Sequence, residues 1–238
     1  MKYSFQDFSF CNSPFFIKID NNYFSLNELK INGNIHFSNS TLISSNIFAP
    51  NIMGPFSYFP FMECNHAVLS MKSNVSGSLH FNDNFIDFNN GIAYIEKDWG
   101  TSFPKSYIWC QSNEFLAFPA NFMLSIAKIP LGNFSFTGII SDISFENKEY
   151  KFTTYYGAKL KKYDINDNSI SIEIEQGNKT LSVFSLSENS NFLLAPSKGK
   201  MNKEILESIS SKVNVQIKEK DKIIFSNSGF NSGLEIVI

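Results

Sequence analysis

The amino-acid sequence predicts an all-β protein built from antiparallel strands. Apolar and polar residues alternate with a period of two in many short segments, as they do in half-buried strands. Turn-forming pairs such as Asn32-Gly33, Gln176-Gly177 and Ser228-Gly229 separate these segments at short intervals. No helical pattern of the kind that joins parallel strands lies between them, which argues against an α/β sheet. A sandwich or barrel of antiparallel strands is therefore expected.

Three segments show the strand pattern most clearly. Residues 28–37 place Leu29, Ile31, Ile35 and Phe37 on one side of a strand. Residues 170–175 alternate Ile170, Ile172 and Ile174 with polar neighbours, and residues 213–218 alternate Val213, Val215 and Ile217 in the same way. Each of these apolar rows is expected to face the core.

One short helix is predicted near the C-terminus. Met201, Ile205, Leu206 and Ile209 have helical spacing, with Lys203, Glu204 and Glu207 on the opposite side. About three turns of helix are expected, packed against a sheet.

The chain is long enough for two modules. A break in the strand pattern near residues 113–121 favours a division into an N-terminal module, 1–116, and a C-terminal module, 117–238. No low-complexity linker separates them.

Composition narrows the class of protein. Of the 238 residues, 43% are hydrophobic and 16% aromatic, which indicates a folded chain with a sizeable core. The net charge of −2 comes from 20 basic and 22 acidic residues that are well mixed, so no nucleic-acid partner is expected. The three cysteines, Cys11, Cys64 and Cys110, form no disulfide framework, and no signal peptide or transmembrane segment is visible. A cytoplasmic location is predicted, with contact to a membrane surface left open.

The segment 91–113 contains most of the candidate functional residues. It is predicted to form a hairpin, with strands at 92–98 and 106–113 joined through 99–104. Alternation places Tyr94, Glu96 and Asp98 on one face of the first strand. It places Tyr107, Trp109 and Gln111 on one face of the second strand. Whether these faces meet depends on the pairing register, which the sequence leaves open.

Glu96 and Asp98 are the candidate catalytic residues. Carboxylates two residues apart on a strand lie roughly 7 Å from each other, close enough to interact electrostatically. Beside Tyr and Trp side chains, desolvation would raise the pKa of one of them and make it a usable general acid. The alternative is a solvated strand edge, on which these charges have no chemical role.

His66 is a further candidate at the edge of such a site. Cys64 and His66 share one strand face, but the other histidines and cysteines are widely scattered in the sequence, so no metal site is predicted. His66 is expected to be a structural histidine or to assist proton transfer near neutral pH. No phosphate-binding loop, dinucleotide motif or hydrolase nucleophile elbow is present.

Three parts of the sequence together resemble the tocopherol cyclase-like family. The central one is Tyr94-Ile95-Glu96-Lys97-Asp98-Trp99-Gly100, followed by Ser102-Phe103-Pro104 and Trp109-x-Gln111-x-Asn113. Upstream are Met53-Gly54-Pro55-Phe56, Met62-Glu63-Cys64-x-His66 and Ser70, and downstream are Leu194-Ala195-Pro196-x-x-Gly199-x-Met201 and Glu207-Ser208. The resemblance extends from about Phe15 to Glu235. Family members usually carry a further N-terminal segment that this chain lacks, so a shortened first module is expected.

The resemblance implies a fold and a reaction. The fold is two lipocalin-like antiparallel modules, similar to those of carotenoid hydratase-type proteins. The plant members close a chroman ring on a prenylated quinol, which requires protonation of an alkene and capture of the cation by a phenol oxygen. Asp98 and Glu96 would then serve as the acid. Tyr94, Trp99, Tyr107, Trp109, Gln111 and His66 would bind the substrate. Such chemistry needs no metal or redox cofactor.

The resemblance leaves two functions open. The first is an enzyme of the isomerase or lyase type that protonates the alkene of a lipophilic, prenyl-type small molecule, with cyclisation or hydration. The second is a lipocalin-like binder that holds an apolar ligand without chemistry, with the polar cluster orienting its head group.

Overall fold

The protein is nearly all β, as the sequence predicts. The computed structural model describes residues 8–12, 15–19, 31–60, 62–131, 134–166 and 168–238, with side chains from residue 33 onward except at Leu131. Within these described ranges, the helical parts are two short 3-10 turns, Gly54–Tyr58 and Thr154–Tyr156. Among the described residues, no helix has the length and apolar character that a membrane crossing requires.

In the described part of the chain, two small sheets contain the first six strands. A two-stranded sheet pairs β1 (Phe8–Asn12) with β2 (Phe15–Ile19). In the other, the order is β3 (Ile31–Thr41), β4 (Cys64–Phe81) and β5 (Asn84–Asp87), and β6 (Gly91–Gly100) also pairs with β4. In β3, Ile35 and Phe37 are half-buried and their neighbours Asn34 and His36 are exposed, as predicted. Leu29 lies outside the described residues.

The large sheet holds the other eleven strands of the described residues. In chain order they are β7 (Tyr107–Ser112), β8 (Glu114–Phe115), β9 (Ala120–Leu131), β10 (Phe134–Phe145), β11 (Lys148–Thr153), β12 (Lys159–Asn166), β13 (Ser169–Gln176), β14 (Lys179–Leu186), β15 (Asn191–Ser197), β16 (Lys200–Glu219) and β17 (Lys222–Val237). Their spatial order is β11-β10-β9-β7-β17-β16-β14-β13-β12, with β15 beside β16 and β8 beside β17.

The described strands do not close into a barrel, because β11 and β12 are the two ends of the sheet order. The Gln176 side chain nevertheless reaches from β13 to β11. Its amide nitrogen donates to the Lys151 carbonyl at 2.8 Å, and its oxygen accepts the Thr153 N–H at 3.0 Å. These two bonds connect β13 to β11, near the two ends of the sheet order.

The core lies on one face of the large sheet. The predicted apolar rows of β13 and β16 are part of it, because Ile170, Ile172 and Ile174 are no more than 3% exposed and Val213, Val215 and Ile217 no more than 1%. On β7, Ile108 and Cys110 point into the same core. The alternate residues of β7 therefore face the other side of the sheet, where the candidate site lies.

The predicted hairpin of 92–98 and 106–113 is wrong in its pairing, although both strands exist. β7 hydrogen-bonds to β9 on one edge and to β17 on the other. A strand has only two edges, so β6 cannot join it and pairs with β4 instead. The connection 101–106 therefore leads from one sheet to another, which local turn chemistry does not reveal.

The predicted helix at Met201–Ile209 is also wrong, because these residues belong to β16. β16 pairs with β15 on one edge and with β17 on the other, so tertiary hydrogen bonds override the local helical spacing. Register irregularities around Ser208–Val213 interrupt the period-two pattern there. Ile205 is buried, whereas Leu206 and Ile209 are 42% and 68% exposed, so the apolar stripe of a helix does not form.

The chain divides into two compact units. The first contains Met1–Leu42 and Ser70–Ile95, and the second contains Ile43–Leu69 and Glu96–Ile238. Both units are discontinuous in sequence, whereas the predicted modules, 1–116 and 117–238, are contiguous. That predicted division stays a proposal.

A buried carboxyl pair lies in the second unit. Asp142 on β10 is fully buried, and no N–H or hydroxyl donor of the described residues reaches its oxygens. Burial raises the pKa of Asp142 to about 8, and the neighbouring Glu149 adds to this shift. Burial would also raise the pKa of Glu149, but hydrogen bonds from Ser44 and Asp142 and the charge of Lys151 lower it below its ordinary value. Two carboxyl groups can share a hydrogen bond only when one holds a proton, and here Asp142 holds it.

The raised pKa of Asp142 predicts that its contribution to stability falls as pH rises. The folded protein keeps a proton on Asp142 up to about pH 8, whereas the unfolded chain loses it near its model value of 3.8. The free energy of unfolding should therefore decrease between these two values, by at most about 1.4 kcal/mol per pH unit from this group. Asp142→Asn should flatten that slope in urea unfolding measured from pH 4 to 9.

The control is Asp164→Asn, which changes an exposed carboxylate on β12. It should keep the wild-type slope. An Asp142→Asn slope equal to that of wild type would contradict the assignment of the proton to Asp142.

Candidate functional site

A pocket on the second face of the large sheet holds the candidate site, and all of its lining residues belong to the second unit. It encloses about 910 Å³, its open mouth included.

The sheet wall of the pocket consists of cross-strand rows. One row runs from Glu235 on β17 through Trp109 on β7 and Ser125 on β9 to Ile140 on β10. The next row runs from Tyr107 through Ala127 to Gly138. The small side chains of Ser125, Ala127 and Gly138 leave space at the centre of these rows, and larger residues border it. The concavity therefore follows from side-chain size along β9 and β10.

The opposite wall comes from the ends of β4 and β6. Alternation puts Cys64 and His66 on one face of β4, and Glu96 and Asp98 on one face of β6. Pairing of these two strands brings the four side chains together. Gly100 ends β6 at φ +150°, and a Cβ there would lie 2.1 Å from the Glu63 carbonyl oxygen. This close approach allows the Thr101 N–H to donate to the same oxygen at 2.8 Å.

His66 lies between two carboxylates. Its Nδ1 is 2.9 Å from Asp98 Oδ1, and its Nε2 is 3.5 Å from Glu96 Oε2. Burial alone would lower the pKa of His66, but the hydrogen bond to Asp98 and the charges of Glu96 and Asp98 outweigh it, so the pKa is raised. The imidazole therefore holds a proton more tightly than an ordinary histidine does. The Asp98 side chain is 26% exposed and is the more open of the two carboxylates.

Glu96 is fixed by the sheet wall. The indole N–H of Trp109 donates to Glu96 Oε2 at 3.0 Å. This bond connects β6 to β7 across the pocket. The strand face that carries Glu96 therefore lies opposite the face that carries Trp109, although the two strands are not paired.

Cys64 adjoins the same cluster, with its Sγ 3.9 Å from Asp98 Oδ1. Burial, followed by the charge of Asp98, raises the pKa of this thiol to about 12. Cys64 is therefore a neutral thiol and not a nucleophile at ordinary pH.

A second acidic group lies on the sheet wall. Glu235 Oε2 accepts a hydrogen bond from the Tyr107 hydroxyl at 2.6 Å. Burial raises the pKa of Glu235 to about 7, the Tyr107 bond opposes this, and the charges of Glu207, Glu96 and Asp98 add to it. Burial and the charge of Glu235 also raise the pKa of Tyr107, so its hydroxyl stays protonated.

The structure gathers five of the eight predicted site residues around the pocket. They are Asp98, Glu96, His66, Tyr107 and Trp109. Gln111 follows Trp109 on the same face of β7 but does not line the pocket. Trp99 follows Asp98 on β6, so it points to the opposite face, and it is 45% exposed. The Lys97 ammonium lies 4.8 Å from the centre of its ring. Tyr94 belongs to the first unit and does not line the pocket.

Sequence reasoning missed Glu235 as a site residue. A single charge in the apolar run Leu234-Glu235-Ile236-Val237 is the signal that could have indicated it, because an acidic residue within a central strand needs a polar partner. Phe103 and Pro104, which belong to the Ser102-Phe103-Pro104 motif, also line the pocket, and the sequence did not indicate this role.

The same cluster has the residue types that bind a divalent metal ion. One ligand atom each from His66, Glu96 and Asp98 lie within 4.8 Å of one another. A metal bound at His66 Nε2 and Glu96 Oε2 would compete with the Trp109 indole for that carboxylate oxygen. The contact between His66 and Asp98 favours a proton shared by these two groups over a bound metal ion. The expectation that no metal binds stays a prediction.

Comparison with known proteins gives a family and a fold. The profile of the family described as tocopherol cyclase-like matches residues 44–237. The probable chloroplastic tocopherol cyclase of Oryza sativa subsp. japonica is 29% identical over 108 residues, which cover 44% of this chain and 23% of that protein. The chloroplastic tocopherol cyclase of Zea mays is 30% identical over 109 residues, with the same coverage. The matched stretch thus spans about a quarter of these relatives.

A solved structure shows the same fold. The crystal structure of CghA superimposes with a TM-score of 0.54 at 8% identity, over 87% of this chain and 61% of that one. The site geometry and the sequence relationship together point to one family.

Proposed function

Because the chain belongs to the tocopherol cyclase-like family, to whose profile residues 44–237 match, we propose that it protonates the alkene of a lipophilic, prenyl-type small molecule. Cyclisation or hydration of that molecule follows. The observation that carries the proposal is the Asp98–His66–Glu96 cluster at one wall of an apolar pocket. Proton donors in a site of low polarity are what alkene protonation requires.

Proton delivery is assigned to Asp98, with His66 as the proton reservoir. Transfer of the proton from Nδ1 to Asp98 Oδ1 along the 2.9 Å bond gives a carboxylic acid beside a neutral imidazole. Asp98 then gives the proton to one alkene carbon, and the other carbon becomes a cation. Glu96, held by Trp109, keeps a negative charge near that cation and near His66.

Aromatic rings of the pocket would stabilise the cation. Trp109 and Tyr107 lie on the sheet wall, and Phe103 packs edge-on against Tyr107 with ring centres 6.0 Å apart. Faces of such rings attract cations, by about 0.5–2 kcal/mol each. Ile129, Phe136 and Ile140 offer an apolar surface for the prenyl tail.

A turnover assay tests the proposal. Purified protein is mixed with a prenylated hydroquinone whose trisubstituted alkene lies within reach of a phenol oxygen, and products are followed by liquid chromatography with mass spectrometry. Cyclisation predicts a product of unchanged mass and new retention time, and hydration predicts a gain of one water. Stoichiometric binding with full recovery of the unreacted hydroquinone would instead identify a non-catalytic binder.

A further inference from the structure

Glu235 occupies a position that proton delivery by Asp98 does not use. It lies on β17, directly paired with Trp109 on β7, and lines the same pocket. Trp109 also bonds to Glu96 on the opposite wall. Trp109 therefore has one acidic group beside it in the sheet and another across the pocket.

The Tyr107 hydroxyl fixes one side of the Glu235 carboxylate. The bond to Oε2 measures 2.6 Å, which is within the usual range of charge-assisted O–H···O⁻ hydrogen bonds. Among the described residues, no hydrogen bond reaches the second oxygen, Oε1, so its lone pairs are available to a substrate group. Because Tyr107 stays protonated, it orients the carboxylate and does not take up protons from it.

We propose that Glu235 accepts the proton of the hydroxyl group that attacks the cation, so that the pocket selects unsaturated lipids that carry a hydroxyl. This inference rests on the proposed function. A C–H bond forms with the proton from Asp98, a C–O bond forms at the cationic carbon, and the O–H bond breaks with its proton moving to Glu235. For an internal hydroxyl the product is an isomer of the substrate. For water as the nucleophile, the product gains one H₂O.

The surrounding charges suit a group that exchanges protons near neutral pH. Glu207 on β16 is the cross-strand neighbour of Glu235, Glu96 and Asp98 face it from β6, and the Lys203 ammonium lies 6.0 Å from the Tyr107 ring centre. Burial and the carboxylates raise the pKa of Glu235 to about 7 against the opposing Tyr107 bond. A base of this strength takes up a hydroxyl proton and releases it again at neutral pH.

Glu235→Gln tests the inference, because glutamine keeps the shape and the bond from Tyr107 but cannot accept a proton. The wild-type rate should fall as pH drops below about 7, since protonated Glu235 is no longer a base. Glu235→Gln should lower kcat by about 10²-fold and remove that decline. Glu207→Gln is the matched control, since Glu207 does not line the pocket. It should keep the rate above pH 7 and should keep the decline, which moves to lower pH because the Glu207 charge that raises the pKa of Glu235 is gone.

A binding measurement separates this inference from the proposed function. Calorimetric titration compares the prenylated hydroquinone with its dimethyl ether. Wild type should prefer the free hydroxyl form by about 10-fold, the value of one hydrogen bond to a charged group, and Glu235→Gln should lose that preference. Equal affinities in wild type, or wild-type kcat and pH dependence in Glu235→Gln, would overturn the role of Glu235. Absence of product with the preference intact would overturn only the proposed turnover.

Discussion

Asp98→Asn is expected to lower kcat for a prenylated hydroquinone by about 10²–10⁴-fold, the usual contribution of a positioned general acid. The amide oxygen can still accept the His66 Nδ1–H bond, so the geometry of the cluster should persist. What is lost is the group that carries the proton from His66 to the alkene carbon. Steady-state kinetics, with binding measured separately by calorimetry, should show a large loss of kcat and an affinity within a few-fold of wild type.

The control for this substitution is Asp164→Asn, which removes an exposed carboxylate on β12. It should leave kcat unchanged. If Asp98→Asn also retained wild-type kcat while Glu96→Gln lost it, the acid would be Glu96 and the direction of proton delivery would have to be reversed.

Phe225→Ala is expected to lower the free energy of unfolding by about 3–5 kcal/mol. The Phe225 side chain is 2% exposed. Its ring centre lies 4.6 Å from that of Phe145 and 5.6 Å from that of Phe118. Alanine would remove these contacts and leave a cavity in a core whose surrounding strands can only partly relax. Urea unfolding followed by circular dichroism measures the loss.

Phe192→Ala removes the same ring from a position that is 72% exposed on β15. It should change the free energy of unfolding by no more than about 0.5 kcal/mol. A loss of similar size in both variants would mean that the outer strand β15 packs against something other than solvent. A small loss in Phe225→Ala would contradict the described core.

The strand content followed from the sequence because burial alternates along most strands. Ile170, Ile172 and Ile174 alternate with polar residues, and the sheet buries that row. The sequence of Met201–Ile209 predicts a helix because its apolar residues also fit helical spacing. Pairing with β15 and β17, which no local pattern encodes, decides its conformation.

The site was predictable only for residues that lie on the same face of one strand, because side chains alternate between the two faces. Glu96 and Asp98 share a face of β6 as period two requires, and Trp99, between Asp98 and Gly100, faces away for the same reason. The resemblance had placed Trp99 in the site. The meeting of β6 with Trp109, and the contribution of Glu235 from the last strand, depend on contacts far apart in sequence. Strand patterns carry no information about such contacts.

The most direct test of alkene protonation at this site is the reaction of the prenylated hydroquinone in D₂O, with the product analysed by mass spectrometry. Protonation by the Asp98–His66 pair, which exchanges with solvent, predicts one deuterium on the carbon next to the new C–O bond in the wild-type product. Asp98→Asn should give almost no such product. A product that forms at the wild-type rate without carbon-bound deuterium, or hydroquinone that stays unreacted and unlabelled, would contradict alkene protonation at this site.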